Sequence, residues 1–132
     1  MTRLLYIQAS PRGPRSRSIQ VADAFLAAYR QANPDDQIVT ADLFRMDLPV
    51  FDGAALDAKY AIMHGMDPSA EQKEAWQGVE AVIAEFVSAD KYLLAVPMWN
   101  FGIPYRLKQY IDVLVQPGYT FSVSPETGYE GS

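Results

Sequence analysis

The chain contains no cysteine, which excludes disulfides, thiolate metal sites, Cys-ligated iron–sulfur clusters and a cysteine nucleophile. Redox chemistry on such a chain needs a borrowed cofactor. Long apolar runs are missing too. Nothing approaches the roughly 18 apolar residues of a membrane span, and Ser10-Pro11-Arg12-Gly13-Pro14-Arg15 falls where a secretion signal would keep its apolar stretch. The expectation is a cytoplasmic protein with no membrane contact. Basic residues are scarce, 11 Lys and Arg against 16 Asp and Glu for a net charge of -5, which argues against a nucleic-acid partner. Any anion site must therefore be local. Histidine occurs once, as His64 beside Gly65 in an expected loop, and it reads as an exposed or packing residue. No metal site is expected.

What remains is an ordinary globular composition, 49% hydrophobic and 20% charged over 132 residues, read as a single domain spanning 1–132. Leu4 to Ile7 form a continuous apolar run closed by Ser10-Pro11-Arg12-Gly13-Pro14, as in a strand covered on both faces. From Ser18 to Arg30 the residues Ala22, Phe25, Leu26 and Tyr29 recur at helical spacing until Asn33-Pro34-Asp35. Gln37 to Leu43 reads as a second strand, Met46 to Val50 as a loop across the sheet end, and Ala54 to Met63 as a short helix. Ser69 and Gln72 make a capping box before a helix whose stripe is Trp76, Val79, Ile83 and Phe86. Tyr92 to Val96 form the third buried strand. Ile103-Pro104 opens a last helix carrying Leu107, Ile111 and Leu114 inward. The tail from Tyr119 to Ser132 reads as irregular, and Asp35, Asp36 and Lys59 as solvated surface.

Alternating strands and helices give an α/β fold with a parallel sheet. The most compatible arrangement is flavodoxin-like, strand order 2-1-3, with helices on both faces. Ligands of such sheets bind beyond the carboxyl ends of the strands where the winding reverses. The loops leaving strands one and three are the places to look.

The first of these runs Ser10-Pro11-Arg12-Gly13-Pro14-Arg15-Ser16-Arg17-Ser18 into a helix N-terminus. Free backbone N–H groups, serine hydroxyls and three arginines there favour an anion. The same residues would also serve as a plain helix cap with solvated arginines. Neither G-x-G-x-x-G nor G-x-x-x-x-G-K-[ST] is present, so the cradle suits a phosphate that is held and not transferred. The second loop, Pro97-Met98-Trp99-Asn100-Phe101-Gly102-Ile103-Pro104, offers flat apolar surfaces with a few directed polar groups. Such a surface suits a heteroaromatic ring, though an aromatic loop packed on the sheet rim would have the same composition.

Together the two segments resemble the FMN-dependent, NADH-using azoreductases related to the quinone reductases, over nearly the whole chain. The resemblance implies that Ser10, Ser16, Arg17 and Ser18 contact the FMN phosphate while Pro97, Met98, Trp99, Asn100 and Phe101 line the flavin. Many members carry Tyr at the position of Trp99. It further implies non-covalent FMN, NADH or NADPH as electron donor, a quinone or azo compound as acceptor, ping-pong turnover and a homodimer with each site at the subunit interface. No residue is assigned as a dedicated acid or base. Tyr119 and Phe121 are candidates to lie over the flavin, or for core or interface packing.

The departure from the family lies at the end of the chain. Only three strands of an expected five are read before Ser132, and the resemblance implies that the missing part would include the last two strands and a glycine-containing loop that helps hold the flavin. The expectation is a C-terminally incomplete member whose third strand is an exposed apolar edge, covered by a partner, a domain swap or rearrangement. Two alternatives to an enzyme stay open: a flavin-binding or oligomer-forming module without turnover, and an assembly protein whose serine loop holds an adventitious anion.

Overall fold

In the computed structural model, which describes residues 1–132, the run Leu4-Leu5-Tyr6-Ile7 forms the centre of β1 (Arg3–Gln8), and all four side chains are buried. Burial on both faces follows from a strand with neighbours on either side. β1 pairs in parallel with β2 (Gln37–Asp42) and with β3 (Lys91–Ala95), giving the order β2-β1-β3. Leu5 sits opposite both Val39 and Tyr92. Side chains alternate across a strand, so Leu4 and Tyr6 meet α1 (Arg17–Ala32) at Ile19, Ala22 and Leu26. Leu5 and Ile7 point to the opposite face and are 0% and 1% exposed.

These elements belong to one of two compact units, Met1–Asp47 with Ser88–Lys108. In it, Phe25 departs from the expected inward stripe and is 50% exposed. Ile19, Ala22 and Leu26 already line up at i, i+3 and i+7, and Phe25 lies one residue, about 100° of arc, off that line. Its ring stacks instead on Tyr29 at 5.9 Å. Asp36 is not simple solvated surface either: it accepts the Tyr29 hydroxyl at 2.5 Å, and Lys91 Nζ lies 3.9 Å from it. β3 has β1 as its one neighbour in the sheet, and Tyr92 and Leu94 are 40% and 48% exposed.

The second unit comprises Leu48–Val87 and Gln109–Ser132. Asp52 caps α2 (Gly53–Met63) by accepting the Ala55 N–H at 3.2 Å. α3 (Ala70–Val87) begins on the expected capping box, Gln72 N–H to Ser69 Oγ at 3.2 Å and Ser69 N–H to Gln72 Oε1 at 2.9 Å. α2 packs on α3, and Ala55 and Ala58 are fully buried. Trp76, Val79 and Ile83 are buried as expected, Phe86 is half-buried against Tyr110, and Lys59 is half-buried instead of fully solvated.

α4 (Tyr105–Leu114) buries Leu107, Tyr110, Val113 and Leu114. Ile111, expected inward, is 37% exposed because it follows Tyr110 by one residue and falls beside the buried stripe. The tail is not irregular. β4 (Phe121–Ser124) and β5 (Gly128–Gly131) form an antiparallel hairpin, with Ser124 Oγ accepting the N–H of Glu126 and of Thr127 and Gly128 at φ +72°. The strand resumes directly after a three-residue connection, at a position with positive φ that glycine adopts freely.

Candidate functional site

The loop after β1 continues the sheet for one more bond, Ala9 N–H to Ala95 O at 2.9 Å, and then turns. Ala9 and Ser10 are buried there. Ser10 Oγ accepts the Arg12 N–H, and a single 3-10 turn over Gly13–Arg15 follows with Gly13 at φ +58°. Ser16 is the N-cap of α1: its N–H donates to Gly13 O at 3.0 Å and its buried Oγ accepts the Ile19 N–H at 3.3 Å. Gln20 Nε2 closes the loop on Pro14 O at 2.8 Å.

With Ile19 capped, the N–H groups of Arg17 and Ser18 remain as the donors that have no partner within the helix. Ser10 and Ser16, both buried, precede them in the chain, and Ser18 is half-buried in the first turn of α1. Arg12, Arg15 and Arg17 are exposed, no acidic residue occupies the first turn of α1, and none of the three arginines forms an ion pair. Two orphan donors, hydroxyls and uncompensated positive charge at the start of a 16-residue helix fit a phosphate monoester.

The loop after β3 contains a tight turn. Trp99 and Gly102 exchange both backbone hydrogen bonds, and the two residues between them, Asn100 and Phe101, have φ of +51° and +63°. Positive φ at both central positions is the type I′ arrangement, where the second position is ordinarily glycine. A phenylalanine held there costs of order 1–3 kcal/mol. Phe101 is nevertheless 95% exposed and Met98 72%, so the strain displays apolar surface without burying it. Pro97 and Trp99 are half-buried and Asn100 is exposed. Pro104, buried, starts α4 by accepting the Leu107 N–H.

Because Gln8 and Ala95 are paired across adjacent parallel strands, both loops leave the same end of the sheet next to one another. A cavity of about 500 Å³ joins Arg17 and Ser18 of the first loop to Leu94, Ala95 and Val96 at the end of β3. Val21, Ala22 and Phe25 of α1 also line it.

A third segment, which sequence reasoning missed, meets the second loop. Phe44, just past β2, lies 5.7 Å from the Trp99 ring and 5.7 Å from Tyr105, which in turn lies 6.4 Å from Trp99. Arg106 donates from Nε to Leu43 O at 2.7 Å and from a terminal nitrogen to Met46 O at 2.5 Å. The available signal was positional: β2 is the other neighbour of β1, so the residues after Asp42 emerge on the same side of the sheet as the two loops.

In the second unit, His64 is the exposed C-cap of α2, stacked on Tyr60 at 6.0 Å. Tyr119 Oη accepts from Trp76 Nε1 at 3.2 Å and donates to Glu80 at 3.0 Å, and burial raises its pKa. Phe121 is half-buried against Tyr129.

A model of the flavodoxin-like fold family matches residues 2–132. The chain is 47% identical over 131 residues to the FMN-dependent NADH:quinone oxidoreductase of Desulfotalea psychrophila, spanning 99% of the chain and 62% of that protein. It is 50% identical over 131 residues to the protein of the same name from Nitratidesulfovibrio vulgaris, again 99% of the chain and 62% of the relative. Among solved structures, an azoreductase from Bacillus anthracis str. Sterne superposes with a TM-score of 0.90 at 33% identity, covering 100% of this chain and 64% of that one. An FMN-dependent NADH-azoreductase from Bacillus anthracis str. Ames Ancestor, solved in complex with FMN, gives 0.89 at 29% identity, covering 100% and 63%. The chain thus spans less than two thirds of the length of these relatives.

Proposed function

Since the chain belongs to the flavodoxin-like family, we propose that it binds FMN non-covalently across the ends of β1 and β3 and works as an NAD(P)H-dependent reductase of quinones or azo compounds. The observation that supports this reading is that the serine- and arginine-bearing loop and the strained, exposed aromatic turn leave neighbouring parallel strands. The names of the relatives support the cofactor, the NADH donor and the quinone or azo acceptor.

In this assignment Ser10, Ser16 and Ser18, with the N–H groups of Arg17 and Ser18, hold the phosphate at the α1 N-terminus. The side chain of Arg17, with Arg12 and Arg15, supplies the surrounding positive potential. Pro97, Met98, Trp99 and Phe101 give the ring a flat apolar support, and Asn100 offers hydrogen bonds to its polar edge. Bound flavin supplies the capacity to take a hydride from a nicotinamide and pass two electrons to an acceptor. The protein's own tasks are to orient the ring, shield one face from water and leave the other open. Donor and acceptor then use that open face in turn, which is ping-pong turnover, and a homodimer would complete the site.

A second reading is a flavin-binding or oligomer-forming module without turnover. Titration of the purified chain with FMN tests both. Absence of binding removes the flavin assignment, whereas binding without NADH consumption in the presence of a quinone selects the second.

A further inference from the structure

We propose that Phe44 is a positioning residue for the aromatic shelf: together with Tyr105 it fixes the tilt of the Trp99 indole, so that the loop after β2 takes part in holding a planar ring. The proposal rests on the flavin reading above and deepens it.

Trp99 sits in a turn whose backbone hydrogen bonds join only Trp99 and Gly102, next to two residues with positive φ. Those bonds fix the main chain and leave the indole free to rotate about its side-chain torsions. What the indole meets are two rings, Phe44 at 5.7 Å with planes inclined by 53°, and Tyr105 at 6.4 Å inclined by 38°. Phe44 and Tyr105 brace each other edge to face, 5.7 Å apart at 90°, a preferred aromatic geometry. The three rings form a closed triangle of mutual contacts.

The segment carrying Phe44 is itself held at many points. The Phe44 N–H donates to Asp42 Oδ1 at 3.1 Å, and the N–H groups of Arg45 and Met46 donate to Asp42 O. Leu43, fully buried, donates its N–H to Gln8 O at 3.0 Å. From the other side Arg106, the residue after Tyr105, binds the carbonyls of Leu43 and Met46. A surface that receives a rigid ring must be held within about 10–20° of its working orientation by supporting contacts. This five-residue turn and the Arg106 fork supply such support, and they tie it to the strand ends that carry the site.

The test uses the full chain in a Trp76→Phe background, which leaves Trp99 as the single tryptophan of the two. FMN is titrated, and Trp99 emission and the visible circular dichroism of bound flavin are recorded. Phe44→Ala should shift Trp99 emission to the red, change the flavin dichroism and weaken FMN binding about tenfold. Phe44→Tyr should restore all three. If Phe44→Ala does not fold, Phe44→Leu keeps the apolar volume without a ring and should give the same losses. Parental affinity and dichroism in the folded Ala or Leu variant would overturn the proposal alone. Failure of the parent to bind FMN would overturn the flavin reading and the proposal with it.

Discussion

Trp99 and Gly102 face each other across a two-residue turn, each donating its N–H to the other's carbonyl at 2.9 Å. The bonds are good, yet the turn they close is one that Phe101 fits poorly. Stability and display are in opposition at this position, and each can be measured separately.

Replacing Phe101 by Gly should therefore stabilise the fold and damage the site. The relief of strain, of order 1–3 kcal/mol, is offset by the 0.5–1 kcal/mol that glycine loses in chain entropy. A net gain of about 1 kcal/mol in denaturant-unfolding free energy is expected, with weaker FMN binding. An unchanged midpoint would mean that the turn is not strained.

The two serines at the start of α1 should part company. Ser16→Ala removes an N-cap acceptor and should cost about 1 kcal/mol of stability as well as flavin affinity. Ser18→Ala lies inside the helix and should lower affinity with a stability change under about 0.5 kcal/mol. Chemical denaturation paired with FMN titration separates the two effects, and equal stability losses would refute the distinction.

Exposed arginines should act on an anion at a distance. Arg12, Arg15 and Arg17 changed together to Gln should reduce FMN affinity most at low ionic strength, the difference from the parent shrinking as salt is raised. If affinities measured at roughly 0.01 M and 0.5 M salt differ equally in both proteins, the arginines contribute no field to the site.

Tyr6 makes a prediction about pH. Its hydroxyl is buried without a hydrogen-bond partner, and burial pushes its pKa above the ordinary 10.0; Gln8 alongside offsets part of that rise, while Asp23 and Asp42 add to it. A raised pKa in the folded state means that the unfolded chain loses this proton first. The associated stability is present in full below pH 10 and is lost as pH rises from there toward the folded value. Tyr6→Phe should be neutral or stabilising at pH 8, by up to about 1 kcal/mol, and should flatten the decline above pH 10 in thermal melts followed by circular dichroism.

Much of the fold can be read in the chain because it is written in short-range chemistry. Leu4 to Ile7 is apolar without a break because β1 is central, and Ser69 with Gln72 marks the start of α3 by mutual hydrogen bonds three residues apart. Both loops are recognisable because they directly follow apolar strands. The features that escaped depend on distance or on small angular offsets. Phe25 and Ile111 fall one residue outside stripes that only a facing surface can define. The β4–β5 hairpin hides in a glycine- and serine-rich tail, where Phe121, Val123 and Tyr129 are too few to announce alternation. Phe44 looks like an ordinary loop residue until Trp99, more than fifty positions later, is folded against it.

The ladder between β1 and β3 has a kinetic consequence. Its first contact, Arg3 N–H to the Asp90 carboxylate, joins residues 87 positions apart, and such closures come late and slowly in a folding chain. A collapsed state without this pairing would own both halves of the pocket yet have no pocket. Recovery of ligand affinity after dilution from denaturant should accordingly trail the return of helical signal, making flavin uptake a clock for the last step of refolding.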